Sequence, residues 1–520
     1  MKKFVTILAL VLVTGTALFA QTPARSWYVS NKGNDNDNNG RSPEQAFRTF
    51  EKAFTSAAAS NVKTITVVGQ MTVAGYREHV YLHGGSGAAE ILLTGQDENA
   101  QMDLSFQLGY GEKTPPSKLR IESLRITGSF MIEGPVTLTL GRDAVFEDDF
   151  KGNGKDLSII MEANAAIRRT KYPYSSVTIG QSAFLMKDDA LISGAEVSVS
   201  GGDAASFAMQ DNAKVENSQG DGIRLANCDF TMMDKASITG CKDTGLVVAW
   251  RSTATLQDNA SITGCGRTTS SSTEWSSEPP LLGGGIRVEG SDAVVVLMGN
   301  AVISGNKARQ GGGIYFTSDG TGGGHPLTPS GQVTPKNQRI SARYKGSITS
   351  LIIQDKAQIT GNEAREGGGI YAVRGSASIT VTFTTNNDGW IPKTNPAVTA
   401  PAVTGVVMNG GTISGNKADY GAGVYAVEAL EVEHVRYTPP MQSYALSIIS
   451  VNDLSGYIQD TGRKSPVPAF TLNGGSITGN EAQFVGGGVY AKVKGAYQAG
   501  RGTLSGNAAG DGEGEDLYTP

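Results

Sequence analysis

The chain has 520 residues and a formal net charge of −5; 68 residues are glycine and only 7% are aromatic. The mild acidity argues against nucleic acid or an anionic lipid surface as the main partner. So much glycine, so little aromatic content, excludes an ordinary globular composition unless a repeat accounts for it.

The N-terminus reads Met-Lys-Lys, then an apolar run from Phe4 to Val13 and a small-residue stretch to Ala20, the pattern of a signal peptide over residues 1–20. Its removal takes the formal charge from −5 to −7. The apolar run is shorter than the ~20 residues a bilayer needs, and no later segment holds 18 apolar residues in a row, so no membrane span is expected. The mature chain is expected to be exported, whether secreted, periplasmic or associated with the outer surface.

Residues 21–60 read as a strand, a turn and a capping helix. Ser42, Pro43 and Gln45 form an N-cap, a first-turn proline and a capping box, with Phe47, Phe50, Phe54 and Ala57 at helical spacing, which predicts an amphipathic helix from Pro43 to about Ala59. Just before it, Asp35, Asp37 and Asn39 fit the first half of a calcium loop, D-x-D-x-N-G. The twelfth position, where a bidentate Glu would close such a loop, is Ala46. Two readings stand for this segment: a calcium site, or a turn leading into the cap.

From residue 61 onward the chain reads as one repeating domain. ISGNKARQGGGIYF from Ile303 recurs as ITGNEAREGGGIYA from Ile359, ISGNKADYGAGVYA from Ile413 and ITGNEAQFVGGGVYA from Ile477, with a partial copy, LSGNAAG, from Leu504. Another short apolar run precedes each full copy, so a unit is three short strands separated by turns. Upstream, the apolar centre of the second strand recurs at Phe146, Ile167, Ile192, Val215, Ile238 and Ile262. Three strands of about five residues with short turns need roughly 20–25 residues per coil. The fold class expected is therefore all-β, a right-handed parallel β-helix with three strands per coil.

Stacking at ~4.8 Å per coil places like above like. Ile303, Ile359, Ile413 and Ile477 form an inward column, and Asn306, Asn362, Asn416 and Asn480 fall at a bend where amides can bond along the rod. Asp188, Asp211, Asp234 and Asp258 stack on one edge, either bridged by calcium or acting as turn formers beside lysines. Cys241 and Cys265 replace the bend asparagine in successive coils, about 5 Å apart at Cα, which allows a disulfide or an unbonded thiol stack.

The phrase WYVSNKGNDNDNNGRSPEQAFRTFEKAF, from Trp27 to Phe54, resembles the entry segment of the pectate-lyase-like family of right-handed β-helix proteins. The GNxAxxGGGIY phrases are similar to the repeats of polymorphic-membrane-protein passengers, which are surface adhesins. These resemblances imply fold and export. The acid-and-base set of the family's lyases and the NTD, DD and GHG motifs of its hydrolases are not found, so no catalytic residue is assigned. The expectation is a non-catalytic adhesin or binding protein whose partner is a carbohydrate or a host or surface protein; the alternative is a polysaccharide lyase or glycoside hydrolase.

Three long insertions, at about 317–349, 374–404 and 427–468, interrupt the repeat after the same strand and should emerge from one edge. They carry Arg343, Tyr344, Trp390, Arg436, Tyr437, Tyr444 and Tyr457, aromatic and basic residues suited to sugar or protein contact. Variable loops without function are the competing reading.

Overall fold

The computed structural model describes residues 26–519 except 73–78, 83–89, 104, 109–117, 170–175, 202–204, 269–280, 291, 319–327, 331–338, 345–348, 375, 385–396, 429 and 438–457. Residues 1–20, read above as a signal peptide, and Trp390, Tyr444 and Tyr457 lie outside the described residues.

The rod consists of three long parallel sheets, one of fifteen strands and two of fourteen, with successive strands of the chain passing from the first sheet to the second to the third and then on to the next coil. It is a right-handed parallel β-helix of fourteen coils, with one extra N-terminal strand, Ser26–Val29, on the first sheet. Alternation explains the strands. In Ser237–Thr239 and Ser261–Thr263 only the central isoleucine is buried, as a strand buried on one face requires. The register runs Phe146, Ile167, Ile192, Val215, Ile238, Ile262, Ile303, Ile359, Ile413, Ile477 and Leu504, one residue per coil.

Residues 26–59 close the N-terminal end. Helix α1 spans Phe50–Ala58, with Thr49 as N-cap accepting from the Lys52 N–H, and buries Phe50, Ala53, Phe54 and Ala57. This corrects the expected start at Pro43. Ser42 closes only a local turn, accepting from the Gln45 N–H at 3.3 Å, and Phe47 is drawn into a bridge with Val29 and stacks on Trp27 at 5.6 Å. The backbone must extend at Phe47 before it can coil, so the helix begins one turn and more later.

The insertions are built differently from the rod. Strands Thr328–Ser330, Arg339–Tyr344, Ser376–Thr384 and Ala397–Thr404 form a four-stranded sheet with antiparallel pairings, and Leu430–Tyr437 pairs antiparallel with Ile458–Val467. The first two insertions contribute to one shared sheet, and the third forms its own hairpin. All three leave after a third-sheet strand (Ile314–Phe316, Ile370–Ala372, Val424–Ala426) and return to a first-sheet strand.

Candidate functional site: the outer face of the third sheet

Two ladders hold the coils in register, one of aspartates and one of asparagines and cysteines. At the turn between the first and second sheets, Asp188, Asp211, Asp234 and Asp258 all sit at φ +56, a conformation in which Asp and Asn are enriched among non-glycine residues. Each carboxylate accepts a backbone N–H from the coil before: Ala163 to Asp188 at 2.9 Å, Asp188 to Asp211 and Asp211 to Asp234 at 3.1 Å, and Asp234 to Asp258 at 3.4 Å. The column thus serves the turns: each aspartate takes the positive φ the turn requires and ties its coil to the one before through a backbone N–H.

At the turn between the second and third sheets the ladder is buried. The Asn306, Asn362, Asn416, Asn480 and Asn507 amides each donate to the next member's side-chain oxygen at 2.8–3.0 Å, the last of them to Asp516. Each Nδ2 also donates to an isoleucine carbonyl in the preceding coil. The N–H groups of the chain point toward Asp516, so its carboxylate meets the positive end of a polarised row. The ladder also dictates the GGG phrase. A Cβ on Gly313 would lie 2.6 Å from the Gly369 carbonyl oxygen and 3.0 Å from the Asn362 Nδ2, so the strand can approach the amides only without a side chain.

Cys265 continues this ladder upstream, its N–H donating to Asn306 at 2.9 Å, and the Cys241 N–H donates to the Cys265 sulfur at 3.4 Å. Cys228, Cys241 and Cys265 are free and buried. Of the two arrangements the spacing allows, a disulfide or an unbonded thiol stack, the structure holds the unbonded stack: the side chains point the same way, and the sulfur takes the role of the amide oxygen. Contact with Cys265 and burial push the Cys241 thiol up, while burial pushes Cys228 up to about 12.

Asp35, Asp37 and Asn39 each accept from a different partner. Asp35 accepts the Arg48 and Thr49 N–H groups at 2.8 and 3.1 Å and the Thr49 hydroxyl at 2.7 Å, at the start of α1. Asp37 accepts from the Asn34 amide at 2.6 Å and Asn39 from the Arg41 N–H at 3.0 Å. Their local role is to shape the turn into the cap.

The outer faces of the three sheets differ. The first carries an ionic network in its N-terminal half, in which Arg120 contacts Glu122 and Glu162, each at 2.6 Å, and Lys187 reaches Glu162 at 2.9 Å. Aliphatic residues Val296, Ile352 and Val407 follow in register. The second presents Ser and Thr, from Thr239 and Thr263 through Ser304 and Thr360 to Ser414 and Thr478. The third combines aromatic, cationic and anionic groups.

On that third face Tyr315, Tyr371, Tyr425, Tyr490 and Tyr518 stack face to face, with ring centroids 5.5, 5.1, 4.7 and 5.1 Å apart. Stacking covers the ring faces, and burial pushes the Tyr315, Tyr371, Tyr425 and Tyr490 hydroxyls up. Upstream in the same outward column stand Arg287, Val247 and Arg224. Arg224 lies between Asp221, which it contacts closely, and Glu196 at 3.6 Å. Burial and the Asp221 carboxylate push the Glu196 carboxyl above its usual range. Further upstream, Glu133, Lys151, Asn153, Thr178, Gln181 and Ser200 line an open groove of about 460 Å³.

No protein-family model, curated protein or solved structure matches the chain.

Of the residues singled out in the insertions, Arg343 and Tyr344 end the strand Arg339–Tyr344, and Arg436 and Tyr437 end the strand Leu430–Tyr437. The two pairs belong to separate insertion sheets. Sequence reasoning passed over the tyrosine column, although its signal was present in GGG[IV]Y. It also passed over Glu196, Asp221 and Arg224, which lie in coils without the repeat phrase and carry no signal of their own.

Proposed function

We propose that the protein is an exported, non-catalytic β-helix binding protein of adhesive type, and that its contact surface is the outer face of the third sheet together with the corner from which the insertions leave. One observation carries this reading: the tyrosine ladder runs beside the corner that launches all three insertions. Aromatic and guanidinium groups together with carboxylates suit recognition of carbohydrate or of a surface protein better than an aliphatic or hydroxyl face does. The resemblance to adhesin passengers and to the pectate-lyase-like family supports the same reading. The test is binding of the mature chain to glycan and surface-protein arrays, repeated with Tyr490→Arg. Binding that the variant weakens supports the reading; binding indifferent to every change on this face removes it.

A second reading, a polysaccharide lyase or glycoside hydrolase, is favoured by one feature. Glu196, with its raised carboxyl beside Asp221 and Arg224, has the character of a proton donor. Incubation with acidic and neutral polysaccharides separates the two. Unsaturated products or new reducing ends that Glu196→Gln abolishes would establish catalysis.

A further inference from the structure

Among the described residues, Trp250 is the most exposed large apolar side chain, at 63%. It follows the third-sheet strand Leu246–Ala249, at the corner that leads to the first sheet. Its backbone sits at φ +27 and that of Arg251 at φ +53. Two consecutive non-glycine residues in this region store strain, which is characteristic of functional positions. One coil on, the residue in register is Gly290, at φ +85, where a Cβ would lie 2.4 Å from the indole Cδ1. The indole therefore lies over bare backbone and stays open to solvent.

A second, independent observation falls on this corner and on the outer strand face that leads into it. The buried side-chain polar atoms without a hydrogen-bond partner among the described residues are the Nε atoms of Arg287 and Arg374. A buried donor left open is rare enough to need an explanation. Arg287 stands in register just before Tyr315, and Arg374 follows Gly290 and Ser318 along the corner column. Both guanidiniums act on the Tyr315 hydroxyl. Each also faces carboxylates at loose distances: Arg287 lies 3.4 Å from Glu289 and 3.7 Å from Asp221, and Arg374 lies 3.8 Å from Glu428.

The Nε atoms themselves are covered, but the side chains keep 17% exposure at Arg287 and 31% at Arg374, so each loosely paired guanidinium and its carboxylate set a donor and an acceptor side by side. Vicinal hydroxyls can bridge such a pair, one oxygen accepting from an exposed guanidinium nitrogen and one O–H donating to the carboxylate. Carboxylates balance or exceed the guanidiniums here, so a uronate or sulfated chain gains no attraction. From Trp250 to Arg374 the corner spans three coils, roughly 14 Å.

We propose that this corner is a subsite for a neutral glycan chain, one sugar ring on the Trp250 indole and its neighbours' hydroxyls between Arg287 and Glu289 and between Arg374 and Glu428. The proposal rests on the binding reading above and names its ligand class.

Affinity electrophoresis of the mature chain through a β-1,3-glucan, a β-1,4-mannan and a β-1,4-xylan, with polygalacturonate as the acidic comparison, tests it. At least one neutral polymer is expected to retard the protein more than polygalacturonate does. Trp250→Gly, which relieves rather than imposes backbone strain, should weaken that retardation at least tenfold without lowering the melting temperature, and Arg374→Gln should weaken it severalfold. Retardation by polygalacturonate alone would overturn the neutral-glycan subsite while keeping the face, provided Tyr490→Arg still weakens it. No retardation by any neutral polymer, or neutral retardation untouched by both Trp250→Gly and Arg374→Gln, overturns the subsite. Neutral retardation lost only when the first or second sheet face is altered overturns the subsite and the contact face together.

Discussion

The N-terminal and C-terminal halves of the rod share one register device and differ in a second, deeper one. Exposed aspartates at the first turn accept a backbone N–H across the step in both, Asp211 and Asp234 in the N-terminal half and Asp355 in the C-terminal half; the C-terminal half adds fully buried asparagines at the second turn, which accept and donate at once. Aromatic stacking also moves, from Phe184, Phe207 and Phe230 inside the first sheet to the tyrosines outside the third. A carboxylate suits the exposed position because water solvates its charge, whereas a buried step needs a neutral group that satisfies both donor and acceptor. The half that secures its register internally is also the half that carries the insertions.

The sharpest way to break this comparison is to remove one buried amide. Asn416→Leu leaves the Asn362 N–H and Nδ2 donors without their acceptor and should cost about 4 kcal/mol in denaturant unfolding. A loss under about 1 kcal/mol would mean that the buried ladder is no stronger than the exposed one. Tyr425→Ala, at the centre of the outer stack, should cost about 3 kcal/mol by the same measurement. If it is silent, the tyrosines are not structural and their conformation is free to serve a ligand. Asp211→Ala removes one exposed step and forces alanine to φ +56, a loss of about 1 kcal/mol, while Asp211→Asn, which keeps the oxygen, should stay within about 0.5 kcal/mol.

The smallest effect is pH-dependent. Despite partial desolvation, hydrogen bonds from Lys187 and Arg120 hold the Glu162 carboxyl below its ordinary 4.5. Its contribution is complete above that value and is lost as pH falls through the lower folded value. Urea midpoints measured downward from pH 5 should fall less steeply in Glu162→Gln than in the native sequence.

Much of this comparison was legible in the sequence. The isoleucine column and the bend asparagines follow from a spacing that only stacked coils satisfy, and the alternation of Ser-Ile-Thr gives the inward face. The coupling of GN to GGG was not legible, because it depends on how closely one strand's backbone approaches the amide of the turn before it. The start of α1 was misread because Ser42-Pro43 has the chemistry of a helix N-terminus, while the tertiary pull on Phe47 toward Val29 and Trp27 decides the backbone. Trp250 escaped notice because its significance lies in a missing neighbour, the side chain that Gly290 lacks. The insertions defeat column counting altogether, since their antiparallel strands follow no coil period.

The central claim is that ligand contact belongs to the third face in the half with the buried ladder. It is tested most directly by glycan-array binding of three variants that each place one arginine on an outer face: Thr471→Arg on the first sheet, Thr412→Arg on the second and Tyr315→Arg on the third. The account predicts loss of binding in Tyr315→Arg alone, with similar melting temperatures for Thr471→Arg and Thr412→Arg. Loss in either of those two, with binding intact in Tyr315→Arg, would contradict it.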